Sequence, residues 1–265
     1  MKHVKVDHRD AVAVVTLVDE ARRNAMTAAM VEEIVATFDD LEGDGTTAAV
    51  VVTGQPPAFC SGADVSSLGA LAQSADDRER RSVTSIYEGF LRVLRSPLPT
   101  VAAVNGAAVG AGVNLALACD VRLAGESARF DTRFVMIGLH PGGGHTWLLE
   151  RAVGPQSAAA MVLFGAVVGG RRAVEVGLAW SCHPDEELVD AAVEFAAGAA
   201  RAPIALLGRT KATLRQAPWQ PGFDEAIATE VAHQAWSLGQ GWFRPARTEA
   251  REPPRLSSYS RHRSY

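Results

Sequence analysis

The sequence has few of the features that would indicate a disulfide scaffold, a metal site or a membrane protein. Its three cysteines, Cys60, Cys119 and Cys182, are odd in number and widely separated, so they form neither a disulfide framework nor a metal-ligand spacing. No run reaches the roughly 18 apolar residues that a membrane span requires, and the first ten residues, MKHVKVDHRD, contain no apolar signal segment. We therefore expect a reduced, cytoplasmic protein without a bound metal and without a membrane partner.

An excess of basic charge is also missing. The formal net charge is −4, from 26 Lys and Arg against 30 Asp and Glu, which argues against the basic surface typical of nucleic-acid-binding proteins. What the chain has is length and apolar content: 265 residues, 48% of them hydrophobic. This suffices for a sizeable core in one large domain or two small ones.

Predicted strands alternate with helices in the first part of the chain. Residues 11–18 are rich in β-branched side chains and predict a strand, with residues 4–8 as its antiparallel partner. Residues 48–53 are almost all apolar, as expected of a strand that is covered on both faces. Helical patterns dominate after residue 186, so we predict an α/β core with a helical C-terminal region.

The stretch from residue 99 to residue 120, PTVAAVNGAAVGAGVNLALACD, organises the rest of the chain. A short apolar strand enters the Asn105-Gly106 turn, and a run of small residues then leads into a helix. Small residues let a backbone approach a ligand closely, and a helix start offers unpaired N–H groups. Taken alone, the stretch fits a phosphate site, a site for a carbonyl oxygen that becomes negative, or tight strand-helix packing.

Five motifs in order carry a resemblance to a known family. They are Arg23-Asn24-Ala25, residues 58–65 (AFCSGADV), residues 104–120, residues 137–144 (IGLHPGGG), and Ala173 with Gly177-Leu178. Over roughly residues 4–240 the chain resembles the crotonase superfamily, the enoyl-CoA hydratase/isomerase family. The resemblance implies a ClpP/crotonase-like α/β fold made of repeated ββα units, with two roughly perpendicular sheets and a helical C-terminal region.

The domain organisation follows from the resemblance and from composition. We predict a core domain over residues 1–195 and a C-terminal helical region over residues 196–243. Residues 244–265 are rich in Arg, Ser and Pro and have almost no apolar side chains. This composition predicts a flexible tail, where the family usually has an amphipathic helix.

The resemblance also implies a ligand and a binding site. The ligand would be an acyl-CoA thioester, as substrate or bound molecule in fatty-acid or related acyl-CoA metabolism, with no further cofactor, and the chain would assemble as a homotrimer or hexamer. Two backbone N–H groups, those of Ser61 and Ala111, would form an oxyanion hole that stabilises an enolate. The positions matching the family's CoA site are Arg22, Arg23, Ala25, Ala63, Asp64 and Val65.

Acid-base residues are where the sequence departs from the family. Enoyl-CoA hydratases use two glutamates, and the matching positions here are Asn114 and Phe134, neither of which exchanges a proton near neutral pH. The other candidates are Asp131 and His140, since a histidine can do acid-base work near pH 7. His145 lies near a helix start, which disfavours its protonated form.

Three hypotheses follow. The first is an enzyme of the enoyl-CoA hydratase/isomerase type with altered acid-base residues. The second is an acyl-CoA-binding protein that has lost the chemistry, because of Asn114 and Phe134. The third is another thioester reaction, such as hydrolysis or double-bond migration, that uses His140 or Asp131.

Overall fold

The computed structural model describes residues 2–64, 84–217 and 222–243. The chain divides into two compact units, Met1–Arg215 and Gln216–Tyr265. The predicted tail over residues 244–265 and the predicted site residue Val65 lie outside the described residues.

Two β-sheets form the centre of the first unit. The six-stranded sheet has the order β1-β2-β3-β5-β7-β10, and the four-stranded sheet has the order β4-β6-β8-β9. Only the pairs β1/β2 and β8/β9 are antiparallel among these neighbours. The strands are β1 (Val4–Arg9), β2 (Val12–Leu17), β3 (Ala49–Gly54), β4 (Ala58–Cys60), β5 (Thr100–Val104), β6 (Ala107–Val109), β7 (Val121–Gly125), β8 (Arg129–Asp131), β9 (Val168–Gly169) and β10 (Ser181–His183).

The helices surround these sheets or follow them in the chain. The α-helices are α1 (Ala28–Gly43), α2 (Thr84–Arg95), α3 (Ala111–Ala118), α4 (His145–Phe164), α5 (Gly170–Glu175), α6 (Leu188–Ala197), α7 (Ile204–Gln216) and α8 (Phe223–Leu238). Short 3-10 helices cover Glu20–Arg22, Val135–Ile137 and Gly198–Arg201. The helix α8 belongs to the second unit.

The predicted ββα repeat is confirmed. In the orders β3-β4-α2, β5-β6-α3 and β7-β8-α4, the first strand joins the six-stranded sheet, the second joins the four-stranded sheet, and a helix follows. Every residue of β3 is buried, as its apolar run predicts for a strand covered on both faces. Three successive units thus bring the ends of β4, β6 and β8 together along one sheet.

Local sequence signals explain the element boundaries. Thr27 caps α1, and its side-chain oxygen accepts from the N–H of Met30 at 3.2 Å. The predicted helices over residues 146–153 and 158–164 are joined into α4 across a kink at Gly154, which has a φ of 74° and precedes Pro155. The kink arises because proline removes a backbone donor from the helix.

The first unit extends past the predicted core boundary at residue 195. Helix α7 is held by Lys211, a buried side chain whose Nζ lies 2.7 Å from Asp120 Oδ2. Arg215 pairs with the other oxygen of the same carboxylate at 2.9 Å. Because this pairing fixes α7 to the turn after α3, the compact unit ends at Arg215.

The structure bears on the cysteines and on possible membrane-spanning helices. Cys60, Cys119 and Cys182 are all free thiols. Among the described residues, no single helix has the length and apolar character to cross a bilayer, while a sharply bent pair, Leu188–Arg201 with Ile204–Gln216, meets that test jointly.

Candidate active site

A cavity of about 310 Å³ lies in the first unit where the ββα repeats meet. Its walls come from the segment after β4, the turn between β6 and α3, the start of α2, and the segment after β8. The lining is mostly apolar, with a small number of polar groups, which is the composition of a small-molecule site.

Two glycines permit the close approach of β4 and α3 at this cavity. A Cβ on Gly112 would lie 2.1 Å from the carbonyl oxygen of Cys60, so only glycine fits there. Gly62 has a φ of +103°, and a Cβ on it would lie 2.7 Å from the Val109 carbonyl oxygen. The same Cβ position is 3.8 Å from the Ala111 nitrogen, so the loop after β4 and the first residue of α3 are neighbours.

Two backbone N–H groups at this junction have no partner within the described part of the chain. Ala111 is the first residue of α3, and the first N–H groups of a helix have no intrahelical acceptor. Ala63 forms a parallel bridge with Met26, but the hydrogen bond of that bridge runs from the Met26 N–H to the Gly62 oxygen at 2.8 Å and leaves the Ala63 N–H unused. The N–H groups of Ala63 and Ala111 therefore remain as donors beside the cavity that both residues line.

The prediction that Ser61 supplies an oxyanion donor is wrong. Its N–H donates to the Arg23 carbonyl oxygen at 3.0 Å, and its hydroxyl donates to the Arg22 carbonyl oxygen at 2.7 Å. Ser61 thus joins the loop after β4 to the loop before α1. The available donor on this loop is two residues later, at Ala63.

The same contacts bring the predicted CoA-binding positions together. The loop over residues 22–25 lies against residues 61–64 through the Ser61 bonds and the Met26–Ala63 bridge. Arg22 and Arg23 are exposed, and Arg22 pairs with Asp19 at 3.3 Å. Asn24 is fully buried and donates to the carbonyl oxygens of Gln55 and Ala58, at 2.8 Å each. The motif Arg23-Asn24-Ala25 therefore fixes this loop through the central asparagine and leaves the arginines in solvent.

Asn114 is held at both ends of its carboxamide. Its Nδ2 donates to the Gly142 carbonyl oxygen at 3.0 Å, and its Oδ1 lies 2.6 Å from His145 Nδ1. The side chain is buried and also lines the cavity. Asn114 therefore ties the 139–144 segment to α3 and is already engaged at both ends.

His145 is buried behind Asn114 and Phe134. Its ring meets the Phe134 ring edge-on, with centroids 4.8 Å apart. Burial lowers the pKa of His145 to about 4, which favours a neutral ring at neutral pH. Its Nε2 has no hydrogen-bond partner among the described residues.

The remaining predicted acid-base candidates have different positions. His140 lines the cavity, is exposed, and directs Nδ1 at the Pro141 carbonyl oxygen at 2.7 Å, which leaves Nε2 as the nitrogen that can accept a proton. Asp131 is buried and pairs with Arg133, whose Nε lies 3.0 Å from Asp131 Oδ2. Asp131 is not part of the described cavity wall, so the structure does not bring it to the site.

Tyr87 is a site residue that the sequence did not reveal. It lines the cavity from α2, and a Cβ on Gly142 would lie 2.2 Å from its hydroxyl oxygen. The pattern of α2 marks residue 87 only as part of an amphipathic helix, and nothing local in the sequence shows that it faces residues more than 50 positions away.

The arrangement of possible metal ligands and of the nearest thiol can be described at this site. Within the described residues, no group of three or more His, Cys, Asp or Glu side chains is arranged to hold a metal ion. Burial raises the pKa of the Cys60 thiol, next to Ser61, to about 12, so this thiol stays protonated and is a poor nucleophile.

Comparison with known proteins gives consistent matches. The family model for enoyl-CoA hydratase/isomerase matches residues 7–234. The Mycobacterium tuberculosis protein "Probable enoyl-CoA hydratase EchA14" is 51% identical over 221 residues, which are 83% of this chain and 84% of that protein. The crystal structure of a Bacillus anthracis enoyl-CoA hydratase matches with a TM-score of 0.83 at 26% identity, over 90% of this chain and 92% of that one. A Thermobifida fusca structure in complex with acetoacetyl-CoA matches with a TM-score of 0.79 at 28% identity, over 89% and 95% of the two chains.

Proposed function

Because the chain belongs to the enoyl-CoA hydratase/isomerase family of the crotonase superfamily, we propose that it binds acyl-CoA thioesters and stabilises their enolate form in an oxyanion hole. The observation that carries the proposal is the pair of N–H groups at Ala63 and Ala111, which lie beside one cavity and have no acceptor among residues 2–64, 84–217 and 222–243. The acetoacetyl-CoA bound in the similar Thermobifida fusca structure supports the ligand class.

The two N–H groups act on the thioester oxygen. As a proton leaves the carbon next to the thioester, or as a nucleophile adds to the enoyl double bond, negative charge moves onto that oxygen. Donors that are already oriented stabilise this charge without reorganising, and one such donor is worth roughly 3–4 kcal/mol. The N–H of Ala111 adds the positive end of the α3 dipole.

Proton transfer requires a side chain other than Asn114 and Phe134, which occupy the positions of the family's two glutamates. Asn114 is held by Gly142 and His145, and Phe134 is apolar. In the enzyme hypothesis His140 is the candidate, because it is exposed in the cavity and has a free Nε2 lone pair. The role proposed earlier for Asp131 loses support through its ion pair with Arg133.

A second candidate function is an acyl-CoA-binding protein without turnover. It is favoured because the Asn114 carboxamide is hydrogen-bonded at both ends and Phe134 is apolar, so neither side chain can transfer a proton. The CoA nucleotide would lie along the loops that hold Arg22, Arg23, Ala25, Ala63 and Asp64, where the exposed guanidinium groups can pair with phosphates. The homotrimer or hexamer and the cytoplasmic location remain predictions.

Ala111→Pro tests the oxyanion hole. The first position of a helix accepts proline, so this change removes one N–H while the helix can still start there. We expect kcat with crotonyl-CoA, followed by loss of the enoyl absorbance, to fall about 100- to 1000-fold. We also expect weaker binding of butyryl-CoA by calorimetry.

Ala111→Ser is the matched control, since it changes the side chain and keeps the N–H. Equal activity of the two variants would contradict the assignment of this donor. If wild-type protein binds butyryl-CoA and turns over no enoyl-CoA of any chain length, the binding-protein alternative replaces the enzyme. If it binds no acyl-CoA, the proposed function is wrong.

A further inference from the structure

The Tyr87 hydroxyl occupies a defined position in the cavity. Its ring packs against the fully buried Phe90, with centroids 5.6 Å apart, so helix α2 fixes the direction of the side chain. The hydroxyl lies against the backbone of Gly142, where a Cβ would come within 2.2 Å of the hydroxyl oxygen.

Among the described residues this hydroxyl makes no hydrogen bond, whereas most polar side chains around it are used within the fold. Asn114 is bound at both ends, the Thr132 hydroxyl donates to the Met161 carbonyl oxygen at 2.8 Å, and Arg133 pairs with Asp131. Tyr87 has no hydrogen-bond partner in the described parts of the chain. Burial raises the pKa of its phenol, so the group stays protonated and can donate a hydrogen bond.

The Tyr87 hydroxyl shares its cavity with the two proposed oxyanion donors. Gly142 links the two sides, because its carbonyl oxygen accepts from Asn114 and its α-carbon faces the Tyr87 hydroxyl. Asn114 lies about one helical turn from Ala111, a rise of about 5 Å along α3. From the Ala111 nitrogen, the path to the β-carbon of a bound acyl group runs over a hydrogen bond of about 2.9 Å, a C=O bond of about 1.2 Å and two C–C bonds of about 1.5 Å each. The β-carbon therefore lies within about 7 Å of that nitrogen. Tyr87, Asn114 and Gly142 line the same cavity as both donors, and Asn114 stands where the family's enzymes have a glutamate that activates the water added to the β-carbon. This places the β-carbon on the side of the cavity that Asn114, Gly142 and Tyr87 form.

We propose that the Tyr87 hydroxyl binds an oxygen atom on the β-carbon of the acyl group and so selects thioesters that carry one. The Tyr87 hydroxyl would make the polar contact with this oxygen that Asn114 and Phe134 do not make. The inference rests on the proposed function, because it presumes that the thioester oxygen is held by Ala63 and Ala111.

Tyr87→Phe removes this hydroxyl and keeps the ring that packs on Phe90. Calorimetry would compare butyryl-CoA with 3-hydroxybutyryl-CoA and acetoacetyl-CoA on wild-type protein and on the variant. We expect wild type to bind the two oxygenated ligands about tenfold more tightly than butyryl-CoA, the contribution of one hydrogen bond. In Tyr87→Phe this preference disappears while butyryl-CoA affinity stays the same, and an unchanged melting temperature shows that the variant is folded.

The outcomes separate this inference from the proposed function. If wild type binds butyryl-CoA but shows no preference, or if the preference survives in Tyr87→Phe, the role of Tyr87 is wrong and the proposed function stands. Equal weakening of all three ligands in Tyr87→Phe would show a packing role and overturn the inference. Failure of wild type to bind any of the three overturns the proposed function and this inference with it.

Discussion

At the scale of single residues, the contact between Asn114 and His145 fixes the chemistry of both side chains. The carbonyl oxygen of Gly142 can only accept, so the Asn114 atom facing it is Nδ2 and the atom facing His145 is Oδ1. Oδ1 can only accept as well, which requires the proton of the neutral imidazole to be on Nδ1. The buried Nε2 then carries a lone pair.

His145 makes stability depend on pH. Its pKa falls from 6.5 to about 4 in the folded protein because burial disfavours the charged ring. Between these values the unfolded chain binds more protons, so stability rises with pH and is lost as the pH falls from about 6.5 towards 4. The full effect is on the order of 3 kcal/mol, and we expect to see it by urea unfolding at pH 7, 5.5 and 4.

His145→Asn is the control, because an asparagine amide can replace the Nδ1 donor but does not titrate. The variant should lose the part of the pH dependence that belongs to this ring, and other titrating groups cancel in the comparison with wild type. Parallel curves of stability against pH for the two proteins would show that His145 is not buried in its neutral form.

At the scale of elements, the turn between β6 and α3 depends on a backbone-to-backbone approach. A methyl group on Gly112 would meet the Cys60 carbonyl oxygen at 2.1 Å, and backbone atoms cannot yield as a flexible side chain can. Gly112→Ala should therefore separate β4 from α3. We expect a loss of roughly 1–3 kcal/mol in stability, measured by urea unfolding, and weaker butyryl-CoA binding, since Ala63 and Ala111 move apart.

Gly43→Ala is a suitable comparison for this change. Gly43 is the exposed last residue of α1, and nothing lies within 4 Å of the Cβ that the substitution adds. Because alanine favours helix more than glycine does, this variant should be as stable as wild type or more stable. A Gly112→Ala protein that behaves like Gly43→Ala would contradict the tight junction.

The sequence predicted these elements better than it predicted their contacts. The strand over residues 100–104 and the helices α1 and α8 follow from periodicity, caps and turns, which are local signals. The direction of a loop N–H is not determined by the local sequence. Here it depends on the φ of +103° at Gly62 and on the hydrogen bonds from Ser61 to the carbonyl oxygens of Arg22 and Arg23. For this reason the sequence could not show that the Ser61 N–H donates within the fold, to the Arg23 carbonyl oxygen. The oxyanion donor on this loop, which we now propose at Ala63, remains a prediction.

The pairing of Asn114 with His145 and the approach of Tyr87 to Gly142 have the same cause. Each joins elements that lie far apart in sequence, and only the packing of α2 and α4 around α3 brings them together. The resemblance could place Asn114 and Phe134 at the positions where it implies glutamates. It could not show that the Asn114 carboxamide is hydrogen-bonded at both ends, to Gly142 and to His145.

At the scale of the whole molecule, the family resemblance predicted the architecture correctly. Its motifs lie at the turns between the strands and helices of the ββα repeat, so their order along the chain indicates the order of these elements. The predicted division into a core domain over residues 1–195 and a helical region over residues 196–243 remains a prediction. The first compact unit runs to Arg215, and α7 is tied to it by a buried lysine, Lys211, that pairs with Asp120. Sequence alone does not show this contact, because a lysine in an amphipathic helix is ordinarily expected in solvent.

An exposed apolar surface on the first unit bears on the predicted assembly into a homotrimer or hexamer. The first unit exposes neighbouring apolar side chains at the end of α4 and in the 3-10 helix after β8: Phe164 is 81% and Met136 is 55% exposed. A Cβ on Gly165 would lie 3.2 Å from the Met136 sulfur, so the two segments form one apolar surface. If the predicted homotrimer or hexamer forms, covering this surface is a reason for it to do so.

Phe164→Asp should therefore shift the protein from trimer or hexamer to monomer in sedimentation velocity without changing its circular dichroism, because a charge on this surface would be buried unpaired. Val6→Asp, on the edge strand β1, is the control and should leave assembly intact. Wild-type protein that is monomeric at all concentrations would contradict the predicted assembly. An oligomer that survives in Phe164→Asp would place the interface on another face, and the apolar surface beside the cavity would then need a different explanation.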